Sequence, residues 1–184
     1  MPYELIITGA VIFIIIIWIT VSYNGLVKLK NKTEEAFSTM DVYLKKRYDL
    51  IPNIVKAVKG YAAYESSTLE KVIAARGAAI SASDTQSKIE AEGALTASLR
   101  GVFALSENYP DLKANQSFLG LQSQLSEIED DIANSRKYYN GTVRMLNNAV
   151  MVFPQNIVAF IFKFRKMPMF EIDTASRGNV EIQL

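Results

Sequence analysis

Apolar positions along the chain fall into three regimes. From Leu5 to Val21 they are almost continuous, LIITGAVIFIIIIWITV, seventeen residues without a charge. From Phe37 they recur in steps that are mostly three, four or seven: Phe37, Met40, Leu44, Tyr48, Ile51, Val55, Val58, Ala62, Leu69 and Val72. A cleaner stripe runs through Phe118, Leu121, Leu125, Ile128, Ile132, Tyr139, Val143, Leu146, Val150 and Phe153. Such steps place side chains on one face of an α-helix. The first stripe predicts one helix over 28–80, with Pro52 as a kink because the phase survives across it. The second predicts a helix over 112–153 with Pro110 in its first turn, where the missing N–H costs nothing. Between them a weaker pattern (Ile89, Leu95, Leu99, Val102, Phe103) predicts a helix over 85–108, with Asp84 as N-cap. With five prolines and nine glycines, punctuation is thin, and nothing before residue 168 demands a strand. The expected fold is all-α: an N-terminal transmembrane helix, then an elongated antiparallel bundle of about four helices. The divisions are 1–23 as anchor, 24–170 as bundle and 171–184 as tail, with Met169–Ile172 packing locally and Ser176–Leu184 a mobile end.

The first segment reads as a membrane span. Seventeen to twenty helical residues cover roughly 26–30 Å, the thickness of the hydrocarbon core. Leu5, Ile12, Phe13, Ile16, Trp18 and Val21 mark the anchor, and its composition favours insertion by about 5 kcal/mol. Tyr3 at one end, and Trp18 and Tyr23 at the other, suit an interfacial aromatic belt. A cleaved signal peptide needs a basic start, where this chain has Glu4, and a small-residue cleavage site that SYNGLVKLK does not resemble. Lys28, Lys30 and Lys32 follow the span, so the positive-inside rule puts residues 24–184 in the cytoplasm and a few residues outside.

Composition then narrows the chemistry. Neither cysteine nor histidine occurs. That removes disulfides, thiol nucleophiles, Ser-His-Asp catalysis and most transition-metal sites. Twenty basic against nineteen acidic residues argue against a nucleic-acid partner. No catalytic residue, metal site or cofactor is nominated.

Several strings in the chain carry a resemblance: Tyr23-Asn24, Arg47-Tyr48-Asp49-Leu50-Ile51-Pro52-Asn53, Gly60-Tyr61, Ala75-Arg76, Tyr138-Tyr139-Asn140 and Phe153-Pro154. Together they cover most of residues 23–170, and the chain resembles the LemA family. The resemblance implies a bacterial inner-membrane protein with one N-terminal span, an antiparallel bundle of about four helices and no agreed enzymatic activity. It implies membrane organisation as one family role. Positions 77–100 and the end after Phe170 carry no motif of the family and receive no role from it.

Polar residues on or beside the stripes are the candidate site. Arg47 and Glu65 follow the first stripe, while Gln122, Glu129 and Arg136 accompany the second at seven-residue spacing. In an antiparallel bundle they would meet as ion pairs that fix register, the first expectation, or line a polar pocket, the second. Arginine suits such pairing because its planar fork matches a carboxylate. The acidic run Glu127, Glu129, Asp130 and Asp131 offers oxygen ligands, yet helical neighbours point apart and a solvated face is expected. Lys45-Lys46-Arg47 likewise reads as a solvated face. Tyr61, Tyr64, Tyr138 and Tyr139 are expected in the core or seams, and Asn24, Asn53 and Asn140 as caps or backbone bridges. The apolar segment 153–170, with Ile157, Phe160, Ile161 and Phe164, is too short to span a bilayer and too apolar to stand in water. Packing on the bundle is its first expected fate, a subunit or partner contact the second, lipid the third. The functional expectation is a membrane-anchored, non-catalytic scaffold, adaptor or self-assembling component. Its expected partners are membrane lipid, further copies of itself and another membrane protein. The alternative is a regulator or sensor subunit of a membrane enzyme such as a protease; a carboxylate hydrolase would need Glu129 or Glu65 in an open cleft.

Overall fold

The computed structural model describes residues 2–62 and 64–170. Among them lie six helices and no strand: α1 (Pro2–Lys59), α2 (Ser66–Ser81), α3 (Thr85–Ser106), α4 (Pro110–Lys113), α5 (Gln116–Met151) and α6 (Gln155–Ile161). The tail 171–184, with Glu171 and Ile172 of the local packing expected there, falls outside the described residues.

Helix α1 is 58 residues long, about 87 Å at 1.5 Å per residue. Residues 3–17 are exposed all round, and the N-terminal part of the helix holds an apolar stretch of 18 residues, long enough to cross a membrane. Burial begins in earnest at Leu26 and continues through Met40, Leu44, Ile51 and Val58. Helix α5 runs back along it. Asn115 meets Tyr61 (2.9 Å), Glu129 meets Arg47 (2.6 Å), and the Tyr139 ring meets Phe37 (5.6 Å between centroids), so the register is antiparallel from end to end. Helices α2 and α3 form an antiparallel hairpin that closes the bundle with Leu69, Val72, Leu95, Leu99 and Val102. Each such side chain, fully buried, contributes about 1.5–3 kcal/mol.

The expected helix over 28–80 is two helices. The chain turns at 60–65, where the amides of Tyr61 and Ala62 both bond back to the Val58 carbonyl (3.0 and 2.9 Å). Gly60 weakens the helix there and buried Ala62 fills the corner. The apolar phase survives because α1 and α2 bury their stripes in the same core, not because one helix continues. The helix expected over 112–153 is likewise divided. Pro110 opens the single turn α4, and Asn115 then caps α5 by accepting from the Phe118 amide (3.1 Å). At its far end α5 stops at Met151, and Phe153 is 75% exposed, so the last member of the stripe leaves the core. Asp84 caps α3 as expected, accepting from the Ser87 amide at 3.0 Å, and the Ser87 hydroxyl and amide bonds hold its carboxyl below the usual range.

Pro52 sits inside α1. It has no N–H to donate to the carbonyl four residues back, that of Tyr48. Arg76 on α2 supplies the missing donor: its Nε lies 2.7 Å from the Tyr48 oxygen. The helix is thus continued through proline by a side chain from its neighbour.

The segment after α6 returns along α5 as an extended strap. Asn147 donates to the Met167 carbonyl and accepts from its amide, both at 2.9 Å. Asn140 does the same for Phe170, at 2.8 and 2.9 Å. Seven helical residues rise about 10.5 Å, and three extended residues cover about 10 Å, so the two amides match the strap's repeat. Tyr139 adds a bond from its hydroxyl to the Pro168 carbonyl (3.0 Å), and the buried Phe170 ring stacks edge-on against it.

Candidate functional site

Midway along the bundle, three helices deliver ionisable side chains to one buried point. Arg47 (α1) and Glu92 (α3) are both wholly buried. Arg47 donates through Nη2 to Glu92 Oε2, and through Nη1 to Glu129 Oε1 (2.6 Å) and Thr96 Oγ1 (3.2 Å). Tyr48 donates its hydroxyl to the second oxygen of Glu92. Arg136 (α5) stands 3.7 Å from Glu92 Oε2, and Lys88 pairs with Asp41 at 2.9 Å beside Tyr48. Three cations thus face three carboxylates.

Burial sets the electrostatics. It pushes the Tyr48 phenol above its ordinary value, opposed by the charges of Lys88 and Arg47. It pulls Arg136 below its ordinary value, helped by repulsion from Arg47 and opposed by Glu129. Two buried guanidinium nitrogens, Nε of Arg47 and of Arg136, have no hydrogen-bond partner among the described residues. Both oxygens of Glu92 and both terminal nitrogens of Arg47 have partners within the cluster. Such an arrangement fixes the register of α1, α3 and α5, because a slip of either partner would leave a charge buried and unpaired. A shallow groove of about 360 Å³ runs beside it, bordered by Thr96, Arg100, Gln122, Ser126 and Glu129.

Of the four residues singled out from sequence, Arg47, Glu129 and Arg136 come together and Glu65 does not. Glu65 lies at the far end of the bundle, preceding α2, with its Oε1 3.4 Å from the Tyr109 hydroxyl. Gln122 is exposed beside the groove. In the acidic run, Glu129 turns inward while Glu127, Asp130 and Asp131 face solvent. Lys45 pairs with Asp49 (2.7 Å) and Lys46 lies over the Tyr43 ring, both outside the core, but Arg47 of the same basic run is wholly buried and not on a solvated face, because it falls on the side of α1 that meets α3 and α5. Of the four tyrosines, Tyr139 is core; Tyr61, Tyr64 and Tyr138 are exposed, contrary to expectation, because they fall off the buried stripes. The residue that sequence reasoning missed is Glu92. Its signal was present: it lies three residues before Leu95 and seven before Leu99, on the stripe of α3.

The second feature of note is at the opposite, N-terminal end of the bundle. Val158 and Ala159 of α6 pack on Leu26, Trp18 and Ile19, while Phe160 (86%), Ile161 (58%) and Ile157 (46%) face outward. Segment 153–170 therefore divides: one face and the strap are packed, the other face is open.

A model of the LemA family matches residues 36–184. The chain is similar to Protein LemA of Metamycoplasma hominis, 26% identical over 160 residues, covering 86% of this chain and 73% of that one. It is also similar to Magnetosome protein MamQ 2 of Paramagnetospirillum magneticum, 26% identical over 175 residues, covering 81% of this chain and 64% of the relative. Against Magnetosome protein MamQ of Magnetospirillum gryphiswaldense the identity is 23% over 197 residues, covering 92% and 72%. The chain thus spans a little under two thirds of the Paramagnetospirillum relative it matches. A match running from the middle of α1 through the strap takes in every helix of the bundle, and the chain belongs to the LemA family.

Proposed function

We propose that the chain is a membrane-anchored scaffold, a self-assembling component of a bacterial inner membrane rather than an enzyme. Residues 5–21 span the bilayer and the bundle stands on the cytoplasmic side, where Lys28, Lys30 and Lys32 favour it. The observation that carries this reading is α1 itself. One helix holds both the apolar segment and the central stripe of the bundle, so the bundle is joined to the span without a flexible linker. A rigid stalk restricts the orientations that copies sample within the membrane, which raises their effective concentration for lateral contact. The polar cluster supports the same reading, since its charges are committed to one another across three helices. The magnetosome names of two relatives fit a role in membrane organisation.

The test is the mass of the full-length protein extracted directly into native nanodiscs, by mass photometry. A single discrete multimer of the 20.5 kDa chain is expected. A lone copy bound stoichiometrically to a different protein would replace the scaffold with a regulatory subunit.

A further inference from the structure

A cradle of about 610 Å³ opens between α1 and the segment that follows α6. Its walls carry Tyr23, Lys30, Lys163, Phe164, Arg165 and Lys166. Four of these six are cations; the carboxylate of the lining is Glu34, 3.7 Å from Lys30. Lys163, Arg165 and Lys166 have no ion-pair partner among the described residues.

The position of the cradle along α1 is informative. Tyr23 lies about 3 Å beyond Val21 and Lys30 about 14 Å beyond it, at the level where headgroups begin once residues 5–21 fill the hydrocarbon. The Tyr23 ring touches Phe162 (4.7 Å) and Phe164 (5.8 Å), which fixes α6 at this same level. The packed side of α6 lies against Trp18, Ile19 and Leu26, so its exposed Ile157, Phe160 and Ile161 stand beside the last turns of the apolar segment of α1. Apolar side chains beside a cationic hollow fit a molecule that is anionic at one end and greasy at the other.

The backbone adds a second mark. Lys163 has φ 60°, the left-handed region. It closes α6 in a Schellman turn, with Lys163 N–H bonding to the Phe160 carbonyl (3.2 Å) and Phe164 N–H to that of Ala159 (2.9 Å). Glycine is the comfortable residue there, yet this position carries a lysine. The strap bonds from Asn147 and Asn140 hold Met167 and Phe170 on α5, which fixes the basic residues that precede them.

We infer that this cradle binds the phosphate headgroup of an anionic phospholipid, with the outward face of α6 lying in the interface of the same leaflet. The inference rests on the membrane-spanning reading of α1. A second copy is a poorer occupant: a twofold contact at this face would set its cations against their equals. Free phosphate would use the cations but leave Ile157, Phe160 and Ile161 in water.

Since the chain has no cysteine, single labels are clean. Full-length protein carrying nitrobenzoxadiazole at Phe160→Cys or at Phe13→Cys is placed in phosphatidylcholine–phosphatidylglycerol nanodiscs with a lipid-borne nitroxide set either shallow or deep in the acyl chain. The label at 160 is expected to be quenched by the shallow nitroxide, and that at 13, about 12 Å from either edge of the hydrocarbon, by the deep one. Quenching at 13 by the deep nitroxide without quenching at 160 by the shallow one refutes the inference and leaves the span intact; no quenching at 13 by the deep nitroxide refutes the span on which the inference rests. In neutral detergent, native mass spectrometry is expected to show retained phosphatidylglycerol and not phosphatidylcholine. Lys163→Gly should weaken retention about fivefold, and K163Q/R165Q/K166Q on the order of a hundredfold. K45Q/K46Q, more than 20 Å further along α1, should not change it. Because Lys163→Gly relieves the left-handed backbone, its loss of lipid would not be a loss of fold. Equal retention by all variants, or displacement by millimolar inorganic phosphate, overturns the assignment.

Discussion

The bond from Arg76 to the Tyr48 carbonyl makes a prediction that ordinary helix rules do not. Proline in a helix interior leaves one carbonyl without a partner, here a carbonyl of a residue that is itself buried. The Arg76 Nε at 2.7 Å replaces it. Arg76→Met keeps most of the apolar stem and removes the donor, and a charged donor to a buried carbonyl is worth about 1.5–3 kcal/mol. Pro52→Ala restores an N–H at the position that normally serves Tyr48. In that background the carbonyl is satisfied within its own helix, so Arg76→Met should cost under about 1 kcal/mol. The double-mutant cycle is therefore expected to give a coupling of about 1–2 kcal/mol, although residues 52 and 76 are far apart in sequence. The assay is urea unfolding of the full-length protein in mild detergent, followed by helical ellipticity. Additivity within about 0.3–0.5 kcal/mol would refute the claim that Arg76 stands in for the missing amide.

Three further outcomes are expected. Glu92→Leu removes the only wholly buried carboxylate paired with Arg47, leaving it half-buried Glu129 on the other nitrogen, and should destabilise by about 3 kcal/mol, while R47M/E92L should recover most of that loss; a double variant as unstable as the single would contradict the pairing of these charges. Replacing Asn140 and Asn147 by Ala should speed amide exchange at Met167 and Phe170 without changing exchange in α1, as read by hydrogen–deuterium mass spectrometry; unchanged protection would dissolve the strap argument. Burial pushes the Tyr139 phenol up to about 12, so the unfolded chain loses that proton first as pH rises. Stability should be intact below pH 10 and fall by roughly 2–3 kcal/mol between 10 and 12, and Tyr139→Phe should flatten that slope.

Much of this fold was written in the spacing of apolar residues. Met40, Leu44, Ile51, Val58, Leu125, Ile132 and Leu146 are buried where the stripes place them. The reversal at 60–65 was not legible, because two antiparallel helices facing one core can show the same phase as a single helix, and only Gly60 hinted at a stop. Phe153 completes a stripe on paper, yet α5 ends before it. In the polar cluster, Arg47, Glu129 and Arg136 stood out as charges beside apolar positions. Glu92 obeys the same rule, three residues before Leu95, but on a helix whose apolar pattern is weaker, so its charge does not stand out. The partnership of Arg76 with a backbone oxygen could not be read at all: it depends on which helix lies across the gap left by Pro52. The division of α6 into a packed and an open face likewise depends on how the strap pulls the chain back onto α5.

The claim beneath the whole account is that a single rigid rod joins bilayer to bundle. Nitroxides at Ile15→Cys and Lys46→Cys, on exposed positions of α1, allow the spacing to be measured by double electron–electron resonance on full-length protein in nanodiscs. Thirty-one helical residues predict one narrow distance distribution centred near about 46 Å. A broad distribution, or a mean below about 35 Å, would show a joint between span and bundle and contradict it.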